Sequence, residues 1–212
     1  MLMTFRKAFF FILAVLVVDQ CSKFYIKLHF PLTVYSSDAI LDWGWFRLLF
    51  VENKGMAWGA RISDFLPFVS ENIGKLLLSL IRIVAVSGIG YMLWDAIKKQ
   101  QHRLAVIAGC LIFAGALGNI IDSLFYGLLF THSYGQVATI FPSDGGYAPL
   151  FFGHVVDMIQ FPLFTWEWPQ WMPWVGGSSF TFFEPVFNLA DTAISVGVGI
   201  ILVFNKGIFP KD

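Results

Sequence analysis

Six ionisable side chains lie inside or at the edge of strongly apolar stretches: Asp19, Lys23, Arg82, Asp122, Asp157 and Asp191. A charge near a bilayer centre costs roughly 2.5–3.5 kcal/mol on insertion scales, so each of them needs a reason to be there. Asp191 sits in FNLADTAI at 187–194, three residues after Asn188, and the two polar groups share one helix face. Asp157 sits in GHVVDMI at 153–159, a strand-like or helical stretch whose apolar neighbours would hold a carboxylate in a low-dielectric place. Asp122 closes GALGNIID at 115–122, whose small residues allow close helix packing. Two carboxylates brought together can share a proton, one acting as base on a water and the other as acid toward a scissile carbonyl, which is the chemistry of an aspartic peptidase.

Other chemistries lack their residues. There is no G-x-S-x-G, no H-E-x-x-H and no Walker lysine, and His29, His102, His132 and His154 have no ligand-like spacing. Of the histidines only His154, beside the Asp157 segment, is near the candidate acids, and a packing role suits it. Cys21 and Cys110 fall in apolar stretches outside any CxxC or Cys/His pattern, so neither a metal nor a cofactor is expected. Asp19 and Lys23, four apart, either neutralise each other or touch the chemistry. Arg82 pairs with an acid or snorkels, and nothing in the sequence ties it to the reaction.

The elements that must position these groups follow from composition. Of the 212 residues, 57% are hydrophobic and 13% charged, against about 25% charged in an ordinary soluble domain, and the mean hydropathy is +0.70. This is a membrane protein. Lys plus Arg equals Asp plus Glu at 14 each, so no basic surface is available for nucleic acid. The apolar runs predict four transmembrane helices over about 7–28, 74–97, 104–122 and 186–204, in one integral membrane domain covering 1–212. Between them, 30–72 carries β-favouring stretches such as 45–51, and 123–185 carries Gly, Pro and most of the tryptophans, Trp166, Trp168, Trp171 and Trp174, which suit a headgroup-level belt. Arg6, Lys7, Lys98, Lys99, Arg103, Lys206 and Lys211 fall on one face of this arrangement, which makes both termini cytoplasmic and the elaborated regions extracytoplasmic. Asp122, Asp157 and Asp191 then collect at the outer interface. A proton-relay carrier would want its acids nearer the midplane, and no internal repeat supports a transporter; a non-enzymatic assembly factor, whose acids only pair with Lys and Arg, would leave no single Asp essential.

Five ordered blocks carry a resemblance: DQCSK at 19–23, ENKGMAWG at 52–59, GALGNIID at 115–122, GHVVDMI at 153–159 and FNLADTAI at 187–194. Together they resemble the lipoprotein signal peptidases, or signal peptidase II, over nearly the whole chain. The resemblance implies a bacterial inner-membrane aspartic endopeptidase that removes the signal peptide of diacylglyceryl-prolipoproteins just before the lipid-modified cysteine. It implies Asp157 and Asp191 as the catalytic pair. Asn53, Gly55, Asn119, Asp122 and Asn188 would bind substrate or order the site, with Asp19 and Lys23 in support. A lipid-bearing substrate could enter laterally from the bilayer, its depth set by the aromatic belt. Two departures stand out. Ser123 follows the third-block Asp where the family usually has Arg, so a cation is missing or supplied from elsewhere. The interval 123–152 is longer than the family's short link, and a further extension runs through 166–174; both are expected to be outward elaborations, with 131–148 dispensable for the chemistry.

Overall fold

The structure, a computed structural model, describes residues 3–34, 38–55, 60–66 and 68–205. Among the described residues three helices are long and apolar enough to cross a membrane. They are α1 (Phe5–His29), α3 (Glu71–Lys98), and α4 (Arg103–Ile121) continued through a π-helical turn (Asp122–Tyr126) and the single turn α5 (Gly127–Leu129). A short helix, α2 (Ile62–Phe65), precedes α3, and a 15-residue apolar helix, α6 (Leu189–Val203), follows the last extended segment. The first two spans match the sequence reading within three residues. The third does not end at 122. Asp122 is neutralised inside the protein by Lys23, so its charge does not force an exit, and the apolar residues after it carry the helix to Leu129. Likewise the last apolar segment is helical only from 189, because Asn188 caps it. Lys206 and Lys211 lie outside the described residues, as does Gly59.

α4 is the central helix, packed against α1, α3 and α6. Its glycines make the closest approach possible: a Cβ on Gly115 would stand 2.2 Å from the Ala190 carbonyl oxygen of α6, and one on Gly118 would meet Asp19 Oδ2 at 2.7 Å. At one end of the bundle Ala8, Leu93, Ile97, Val106 and Cys110 form a cluster, which brings Arg6, Lys7, Lys98, Lys99 and Arg103 to that same end. At the other end Ile26, Phe50, Tyr126, Phe130, Ala138, Val156 and Met158 form the second cluster, under a small antiparallel sheet.

That sheet has the order β1 (Leu41–Asp42), β2 (Arg47–Asn53), β3 (Val155–Gln160). Between β2 and β3 the register runs Leu48↔Ile159 and then Val51↔Asp157, so β2 carries one extra residue. A one-residue slip exchanges the two faces of every later side chain. Here it turns Phe50 and Glu52 inward with Val156 and Met158, and leaves Asn53 on the face of Asp157. A separate ribbon, β4 (Phe164–Glu167) with β5 (Ser179–Phe182), stacks Phe164 on Phe182 and Trp166 against Phe180, while Trp171 and Trp174 beyond it are exposed.

The long 130–152 segment is not an appendage. Its Ser133 and Ala138 are buried, and its Tyr147 hydroxyl accepts from the His154 backbone N–H at 2.7 Å. Removing it would open the second core cluster, so the segment is packed into the fold rather than looped out from it.

Candidate active site

Phe187 exchanges backbone hydrogen bonds with Ile159 at 2.8 and 2.9 Å, which lays the approach to α6 beside β3. One residue later Asn188 caps α6: its Oδ1 accepts from the Asp191 N–H at 2.9 Å, while Asp191 Oδ2 accepts from the Asn188 N–H at 3.2 Å. This reciprocal cap fixes the Asp191 side chain in the first helical turn, where free N–H groups and the helix dipole favour an anion. Because Oδ1 of Asn188 is committed to the helix, its amide nitrogen faces β3 and donates to Asp157 Oδ1 at 2.8 Å. One residue therefore reaches both carboxylates, Asp157 through its side-chain amide and Asp191 through its backbone N–H.

Two more asparagines are oriented the same way. Asn53 Oδ1 accepts from the Gly55 N–H at 2.9 Å, so its Nδ2 points to Asp157 Oδ2 at 3.2 Å. Asn119 Oδ1 accepts from the Lys23 ammonium at 3.0 Å, so its Nδ2 donates to Asp191 Oδ1 at 2.8 Å. In each case a donor on the oxygen decides which end of the amide meets the carboxylate. Asp157, Asp191, Asn53, Asn119 and Arg82 line one cavity of about 350 Å³, walled by Pro185 to Phe187. Burial, and then the negative charge of Asp191, push the Asp157 carboxyl up to about 7. The arrangement is an acid–base pair poised to hold one proton near neutrality.

Beneath it is a fully buried ionic layer. Lys23 spends its three protons on Asp19 at 2.9 Å, Asp122 at 2.8 Å and Asn119. Asp19 also accepts from the Ala190 N–H at 2.9 Å, and Asp122 from the Val156 N–H at 3.3 Å and from Gln20 at 2.9 Å. The layer thus stitches α1, α4, β3 and α6 together, with Lys23 setting the Asn119 amide. Asp122 belongs here and does not line the cavity of the pair. Asn188 is likewise fully buried, touching the carboxylates rather than open space.

Sequence reasoning missed three things. Arg82, from α3, donates to Ser123 Oγ and to the Gly55 carbonyl oxygen, both at 2.9 Å. A cation does stand at Ser123, supplied from another helix. Second, Asp19, Lys23 and Lys27 recur every four residues, a stripe that could have been read as a continuous ionic face. Lys27 pairs with Glu52, which also takes Ser133 Oγ at 3.1 Å and His154 Nδ1 at 3.0 Å. Burial would raise the Glu52 carboxyl, but the His154 hydrogen bond and the Lys27 ammonium outweigh it and hold it at about 2. Third, His154 is tied to this ion pair by its hydrogen bond with Glu52, while burial pulls its imidazole below the ordinary value. Among the described residues no three His, Cys, Asp or Glu side chains gather to hold a metal ion.

Apolar spans carrying a pair of carboxylates under a small sheet define an integral membrane protein with a polar cavity at the sheet end of its bundle. The chain belongs to the signal peptidase II family, whose model, described as Signal peptidase (SPase) II, matches residues 11–205. It is 45% identical over 194 residues to the lipoprotein signal peptidase of Porphyromonas gingivalis, covering 91% of this chain and 79% of the relative. It is 35% identical to that of Amoebophilus asiaticus, with 90% and 74% covered. The fold is that of a solved structure of a bacterial membrane enzyme, at TM-score 0.57 and 21% identity over 95% of this chain and 94% of that one.

Proposed function

We propose that this chain is a membrane-embedded aspartic endopeptidase that removes the signal peptide from diacylglyceryl-prolipoproteins before the lipid-modified cysteine, with Asp157 and Asp191 as its catalytic pair. The observation that carries this reading is a cavity lined by both carboxylates, each held by asparagine amides whose direction is fixed from behind. In the working form one proton is shared. Asp191, in the first turn of α6, takes a proton from water while Asp157, protonated below about pH 7, hydrogen-bonds the scissile carbonyl; the roles exchange as the amine leaves. The reaction needs no cofactor.

Asn53, Gly55 and Asn119 hold substrate and site in register, Asn188 and Asp122 order the carboxylates, and the Asp19 and Lys23 pair supports them. α6, about 22 Å long at 1.5 Å per residue, is the fourth span of a single four-span domain. Its start at the sheet end and the gathering of basic residues at the other support cytoplasmic termini, an extracytoplasmic site and residence in the bacterial inner membrane. The tryptophans at and beyond the β4–β5 ribbon suit a position at the headgroups, from which an acyl-anchored precursor enters sideways.

The test is cleavage of a diacylglyceryl-prolipoprotein, and of the same precursor without lipid, by the purified protein. Asp157→Asn and Asp191→Asn should each abolish processing of the lipidated form while still inserting, and the double variant should lose no more than either single one. Robust cleavage by Asp157→Asn refutes the assignment.

A further inference from the structure

A second cavity of about 350 Å³ contains neither carboxylate of the pair and meets the site described above only at Gly55. It is enclosed by the start of α2, the first two turns of α3 and residues 147–152 of the long inserted segment. Four basic side chains reach it, Lys54, Arg61, Lys75 and His154. Two are accounted for. Arg61 is paired with Glu71 and Asp64, and His154 with Glu52, whose charge Lys27 already meets. Lys54 and Lys75 are not: among the described residues neither has a carboxylate within ion-pair distance. Lys75 lies within electrostatic reach of Lys54 and Arg82, and of the Glu52 carboxylate, which is already held by Lys27 and His154.

Snorkelling explains one lysine near a helix end. It does not explain a second ammonium, from the chain after β2, lining the same hollow. Of the other walls, Glu71 is taken up by Arg61 and Asn72 adds an amide, while Leu78, Tyr147 and Phe152 are apolar and aromatic. Lys75 is one turn into α3, and Leu76, Leu77, Leu80 and Ile81 of that helix are exposed on its outer half, where lipid chains would lie. Cations at headgroup depth above an acyl-facing helix form the donor set for a phosphate ester.

We propose that this cavity binds a phosphate group at the membrane surface, Lys54 and Lys75 furnishing the charge and Tyr147 and Phe152 the wall. The occupant is the phosphodiester of an anionic lipid, with free phosphate as the other source of the same chemistry. The inserted segment thereby gains a role that the peptidase reaction does not require of it. This site stands whether or not the carboxylate pair cleaves prolipoproteins, because it depends only on α3 crossing the membrane.

The experiment uses the full-length protein, delipidated in neutral detergent and titrated under native mass spectrometry. Its probes are phosphatidylglycerol, neutral diacylglycerol and inorganic phosphate. Wild type should retain one phosphatidylglycerol tightly. Lys75→Gln should weaken it about fivefold and the Lys54→Gln/Lys75→Gln pair roughly twentyfold, while Lys75→Arg and a Lys98→Gln/Lys99→Gln control at the opposite end retain it. Displacement by millimolar phosphate assigns the site to free phosphate, and retention against it assigns the lipid headgroup. Equal retention by wild type and the double variant, or equal retention of diacylglycerol, overturns the proposal. Lys75→Arg guards against misfolding, since it keeps the charge: its loss of lipid at an unchanged melting temperature counts against the site as well.

Discussion

Replacing Asn53 by Ala removes its amide hydrogen bond to Asp157, together with the turn contact that Gly55 makes to its oxygen. The amide donates to Asp157 Oδ2 at 3.2 Å and so favours the ionised carboxylate. Without it the carboxylate is less stable, and the Asp157 carboxyl, already pushed up to about 7 by burial and by Asp191, moves higher. A hydrogen bond to a charged group is worth about 1.5–3 kcal/mol; at this length, beside an open cavity, about 1 kcal/mol is a fair share. At 1.36 kcal/mol per pH unit that is a shift of roughly 0.7. Asp157 must carry the proton in the working form, so the alkaline limb of kcat/KM falls at its free-enzyme pKa. That limb should move from near pH 7 upward by roughly 0.7 in Asn53→Ala, accompanied by a lower rate at the optimum. The assay is cleavage of a fluorescent lipopeptide in detergent across pH 5–9. A limb that stays in place, or moves down, refutes the coupling and leaves Asn53 a contact for substrate alone.

Other outcomes follow from the same geometry. Arg82→Gln breaks the contacts to Ser123 and Gly55, so kcat/KM should fall about tenfold or more, with Arg82→Lys intermediate; an undiminished Gln variant would leave Arg82 a packing residue. Lys23→Met strands two buried carboxylates, and its unfolding free energy should drop by about 3–5 kcal/mol, read by detergent thermal or denaturant unfolding; a drop below about 1 kcal/mol would mean those acids are neutral. A cysteine at position 144 should react with an impermeant thiol reagent in intact cells and one at position 100 should not; labelling at 100 alone reverses the orientation.

Much of the framework could be read from the chain because it depends on local pattern. The first two spans follow from long apolar runs that Asp19, Lys23 and Arg82 interrupt without ending, the β2 strand from its β-favouring residues, and the close packing of α4 from Gly115 and Gly118. What escaped depends on pairs far apart in sequence. Asp122 reads as the end of a helix until Lys23, some hundred residues earlier, is known to neutralise it. Ser123 leaves it open whether a cation is missing or supplied from elsewhere, until Arg82 is seen to reach it from another helix. The extra residue in β2 decides that Asn53 and not Glu52 faces Asp157, and only the pairing with β3 reveals it. The assignment of Asp157 and Asp191 came from the resemblance; composition and spacing brought three acids to one interface without choosing among them.

Asn188 has a consequence for how occupancy could be watched. The same amide that begins α6 also holds Asp157, so fraying of the first turn and dissolution of the carboxylate pair are one motion. A ligand that clamps the two carboxylates must therefore suppress that opening, and the Ala190 and Asp191 N–H groups should exchange with deuterium more slowly when it is bound. Isotope uptake at two backbone positions would then count bound molecules in an enzyme that turns nothing over.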